Sequence, residues 1–147
     1  MKKNPTLKPL VHRRFANRIF YWLNRCWLND WSVSVQTTNE ELPGDSDGFH
    51  TLAEVKFLPA YKHATVTARL DSLRELDQQR LDEVACHEIS HLLLGPIDVF
   101  VGQLTSQLPR GVAQRLVIAN WDELKESATS HLQRVLTAQD REVRSKK

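Results

Sequence analysis

Cys86-His87-Glu88-Ile89-Ser90-His91-Leu92-Leu93-Leu94 is the stretch that decides how this chain is read. With Leu81, Val84 and Ala85 upstream, its apolar positions cover more than half of a helical circumference. That pattern predicts a central helix from Asp77 to Leu94, closed by Gly95-Pro96, because glycine accepts a left-handed cap and proline cannot continue the ladder. His87 and His91 stand one turn apart on one face, so both imidazoles can reach a single divalent cation. Neutral imidazole nitrogens suit Zn²⁺ at roughly 2.0–2.1 Å. Glu88 lies about 100° around the helix from His87. From there a carboxylate can take a proton from water attacking a carbonyl, without being a ligand, and pass it to a leaving amine. The competing reading is two half-solvated histidines with a supporting glutamate. An apolar helix, where unpaired polar groups are costly, favours the metal.

Working outward, a catalytic zinc needs a third protein ligand and one open position. The acids of the later helical pattern are Asp122, Glu123 and Glu126. Glu126 is the first choice, because Ser127 and Ala128 beside it allow close helix approach; Glu123 comes next. Asn120 reads as the cap of that helix, with Leu124, Ala128, Leu132, Val135 and Leu136 as its buried stripe and residues 138–147 as a frayed tail. His131 and His63 are candidates for steadying an oxyanion, and Arg115 and Tyr61 are weaker ones. Cys86 falls on another face of the motif helix and reads as core packing.

Toward the N-terminus, Phe15, Ile19, Trp22, Leu23 and Cys26 recur at helical spacing and predict a helix from Phe15 to Trp27. Residues 1–29 hold seven Lys and Arg, and no acid precedes Asp30. The run Ile19–Leu23 is too short for a signal-peptide core or a membrane span, so a docked amphipathic helix is expected. Trp31–Thr37 alternates with period two, and strands are expected at Ala53–Leu58 and Ala64–Leu70. The polar, turn-rich residues 39–50 predict an exposed loop.

At 147 residues, with 41% hydrophobic and 26% charged residues, the chain suits one soluble domain, 1–147. A net charge of +2 points to neither a nucleic-acid coat nor a polyacidic protein. Two cysteines 60 positions apart, Cys26 and Cys86, make no disulfide framework, and a reducing, cytoplasmic setting is expected.

His87 to His91 followed by three leucines, with Glu126-Ser127-Ala128-Thr129 on a later helix, resembles the zincin metallopeptidases of the gluzincin type. Size and element order are similar to the minimal gluzincins often encoded by bacteriophages and prophages. The likeness spans about residues 30–137, and the absence of a third histidine soon after His91 sets it apart from the metzincins. It implies an α+β, zincin-like fold: a small antiparallel or mixed sheet on the motif helix, and a C-terminal helix carrying the third ligand. It implies one Zn²⁺ per chain on His87, His91 and Glu126, Glu88 as general base, and a peptide or protein substrate paired with an edge strand, expected at Lys62–Leu70. Neither a membrane nor nucleic acid is an expected partner. The alternative is a non-catalytic module of the same fold that binds a protein or nucleic acid through its basic N-terminal helix. A structural zinc site is disfavoured, because it has no use for Glu88.

Overall fold

The computed structural model describes residues 7–42 and 51–146. The elements run α1 (Leu7–Arg25), β1 (Ser32–Thr38), β2 (Ala53–Leu58), β3 (His63–Arg69), α2 (Leu70–Glu75), α3 (Gln78–Ser106) and α4 (Val112–Ser145), with a 3₁₀ turn at Pro59–Tyr61 between β2 and β3. The class is α+β, with a small mixed sheet. Its order is β1-β3-β2, with β1 parallel and β2 antiparallel to β3. Alternation along the strands puts Ala64, Val66 and Ala68 of β3 on one fully buried face. The register sets Val33 and Val35 against them from one side, and Ala53, Val55 and Phe57 from the other. That face packs in one core with Phe15, Ile19, Trp22 and Leu23 of α1 and Leu81, Ala85, Ile89 and Leu92 of α3.

The sheet corrects one expectation. Residues Lys62–Leu70 are not an edge, because β3 is the central strand with partners on both sides. The exposed-loop expectation for 39–50 falls outside the described residues from position 43 onward, while Leu42 is buried.

Helix boundaries differ too. Helix α1 ends in a Schellman arrangement: Leu28 N–H donates to Leu23 C=O, and Trp27 N–H to Asn24 C=O. Trp27 occupies the left-handed position at φ 58° and is exposed, so it does not join Trp22 in the core. Asp77, expected as the first residue of this helix, is instead its cap, accepting from Arg80 N–H at 2.7 Å. Gly95-Pro96, however, does not end α3, which continues to Ser106. Gly95 is a contact glycine: a Cβ there would sit 3.2 Å from Phe57 Cε2, so its absence lets β2 approach the helix. Pro96 is on the exposed side, where its ring meets solvent rather than the core.

Helix α4 starts at Val112, so Asn120 is an interior residue rather than a cap. Its stripe is also different. Leu124 and Val135 are exposed, Ala128, Leu132 and Leu136 are half-buried, and Thr129, Thr137 and Asp140 are buried. The expected frayed tail is helical to Ser145 and anchored by Asp140, which accepts from Tyr21 Oη and pairs with Arg25 (3.2 Å) and Arg144 (2.7 Å). Helix α3 alone has the length and apolar content of a membrane span among the described residues. A central core helix meets the same test, and Leu81, Ala85, Ile89 and Leu92 of α3 are buried inside the domain.

Candidate metal centre

The antiparallel approach of α3 and α4 brings the candidate ligands together. His87 Nε2 lies 3.5 Å from Glu126 Oε2, and His91 Nε2 lies 3.5 Å from Glu126 Oε1. One ligand atom from each residue falls within 4.8 Å of the others. Donors held about 2.0–2.1 Å from one tetrahedral ion are themselves about 3.3 Å apart, which the two 3.5 Å spacings approach, while the full set, spanning up to 4.8 Å, closes in on binding Zn²⁺. His91 Nδ1 sits 3.3 Å from Thr129 Oγ1. That contact suits the tautomer in which Nδ1–H donates to the hydroxyl and Nε2 keeps its lone pair toward Glu126.

Electrostatics prepare the same groups. Burial lowers the pKa of His91 to about 4 and also lowers that of His87, each against the opposing pull of Glu126. Both imidazoles are therefore neutral at pH 7, the form that binds a metal. Glu88 is 5% exposed, and its carboxyl is pushed up to about 8, by burial first and then by the Glu126 and Glu54 carboxylates. A buried acid with no cation among these causes is what a dication in the cluster would ionise.

These residues open into a cleft of about 810 Å³. One wall is β2 with the preceding Thr51 and Leu52; the others are α3 and α4, with Arg80, Lys125 and Ser130 along the rim. Lys125 is held by Asp98 at 3.2 Å, and Asp98 also accepts from Trp121 Nε1 at 2.7 Å. The sequence reading missed Thr129, Arg80 and Lys125. Thr129 had a signal, since it lies three positions after Glu126 on the same helical face.

The other candidates are elsewhere. Glu123 is exposed and outside the cluster, and Asp122 pairs with Lys125 at 3.5 Å. His63, His131, Arg115 and Tyr61 do not line this cleft; Tyr61 borders a separate apolar groove with Pro96 and Val99. Cys86 is fully buried with its thiol pKa pushed up by burial, in keeping with core packing. No family model, curated protein or solved structure matches this chain.

Proposed function

We propose that the protein is a zinc-dependent metallopeptidase with a zincin-like fold of the gluzincin type, acting on peptide or protein substrates in the cytoplasm. His87, His91 and Glu126 hold one Zn²⁺ per chain, and Glu88 is the general base. The observation that carries this reading is the convergence of two neutral imidazoles and one carboxylate at the mouth of a cleft. When bound, the ion supplies Lewis acidity, activating water and polarising a carbonyl. Glu88, one residue from the first ligand and buried beside the site, takes the proton from water on its carboxylate and delivers it to the leaving amine. Thr129 keeps the His91 ring in register.

Substrate placement follows from the sheet. Among the described residues, strand β2 is hydrogen-bonded to β3 on one side only, and it lines the cleft. An extended peptide can add to its free edge, so backbone pairing holds the scissile bond along the metal cluster. The binding-module alternative draws less support. Arg18 and Arg25, two cations of the basic helix, are engaged with Asp82 and Asp140 inside the fold.

Zinc-loaded wild type and Glu88→Gln protein, each given a quenched-fluorescent peptide library, separate the classes. The expected outcome is hydrolysis by wild type, a loss of about 10²-fold or more in Glu88→Gln, and equal zinc content in both. Equal hydrolysis by the two proteins would overturn the role of Glu88.

A further inference from the structure

Beyond the sheet and α1, the last turns of α3 and the first turns of α4 form an antiparallel helical hairpin joined by the short segment 107–111. Ile97, Phe100 and Leu104 recur at spacings of three and four on one flank of α3, and Val117 and Leu124 share a flank of α4. In an antiparallel pair these flanks fall on the same side, away from the side where His91 and Glu126 meet. All five side chains are exposed, from 41% at Val117 to 62% at Leu124.

We propose that this flank is a self-association surface through which two copies of the chain form a two-fold dimer, the two hairpins closing into a four-helix bundle. Area supports it. At roughly 100 Å² each, the five side chains offer about 500 Å² per copy, the apolar share of a standard interface of about 800 Å² per partner. Charge supports it as well. Asp98 is turned inward to Trp121 and Lys125, and Arg115, Asp122 and Glu123 fall on other flanks by the helical repeat, so the face meets its own copy without like-charge repulsion. A bilayer is the poorer occupant. The hairpin tip, Thr105-Ser106-Gln107-Leu108-Pro109-Arg110-Gly111, is polar and carries an arginine that would lead the way into hydrocarbon. In a bundle that tip lies at the end, in water.

This inference stands apart from the metal reading, and sedimentation equilibrium on the full chain tests it. At about 10 µM chain, wild type should sediment at twice the 17.0 kDa chain mass. Phe100→Glu and Val117→Glu should each sediment as monomers with unchanged helical circular dichroism. Leu116→Glu, an exposed position on another flank, should remain dimeric. A wild-type monomer at that concentration overturns the proposal, including one that floats with phosphatidylcholine vesicles or carries a different protein. So does a dimer that survives both flank substitutions, or one that Leu116→Glu dissociates as readily.

Discussion

Glu88 is a carboxyl held far from its ordinary protonation range by the fold. In the unfolded chain its carboxyl titrates near 4.5, whereas in the fold burial raises it to about 8. Between those values the folded state binds more protons than the unfolded one, so this group makes stability fall as pH rises through the window. The contribution is fully lost above the folded value. Metal-free Glu88→Gln, which has nothing to ionise at this position, should therefore match metal-free wild type near pH 4.5 and exceed it by on the order of 3 kcal/mol at pH 9. Urea midpoints of the two proteins in chelator measure the gap. A gap that stays constant between those pH values would contradict the account of a neutral buried acid. The same burial that strains Glu88 helps the imidazoles, because it keeps His87 and His91 unprotonated and ready to ligate.

At the scale of elements, the geometry of the site depends on how α1, α3 and α4 are locked together. Arg18 Nε (2.7 Å) and Trp22 Nε1 (2.8 Å) of α1 both donate to Asp82 of α3. Asp140 of α4 gathers Tyr21, Arg25 and Arg144, while the Arg18 and Arg144 guanidinium groups lie over the Tyr21 ring, 4.3 and 4.7 Å from its centroid. Asp140→Ala leaves Tyr21 and two arginines without their shared acceptor, and should cost about 3 kcal/mol in thermal or urea unfolding. A cost under about 0.5 kcal/mol would show that the C-terminal turns of α4 are dispensable.

Elements with strong periodicity were legible in the sequence: the alternating strands, the buried face of α1 and the start of α3 near Asp77. Breaks were not. Gly95-Pro96 reads locally as a stop, but the packing of Phe57 against Gly95 and of α4 along α3 outweighs the local preference. Asn120 reads as a cap locally, although α4 already starts at Val112, just after Pro109 and Gly111, and the tail reads as frayed only while the partners of Asp140 are unknown. Two of those partners, Tyr21 and Arg25, lie on α1, more than a hundred residues away, where no local pattern reaches. Within the site, the His87–His91 pair was visible because both residues sit on one helix. The proximity of Glu126 was readable from its small neighbours, whereas the cleft wall was misplaced because strand order cannot be read from strand pattern.

At the scale of the whole molecule, a three-stranded sheet supports one long helix, and a second long helix returns along it to bring a carboxylate to two imidazoles. Among the described residues the unpaired edge of β2, the cleft and the His87–His91–Glu126 cluster then lie side by side. The measurement closest to the central claim is metal content by plasma mass spectrometry on purified chains. The account predicts about one zinc per wild-type chain, a loss in each of His87→Ala, His91→Ala and Glu126→Ala, and retention in Glu123→Ala. Wild type without zinc after dialysis against excess metal, or zinc retained by Glu126→Ala and lost from Glu123→Ala, would contradict it.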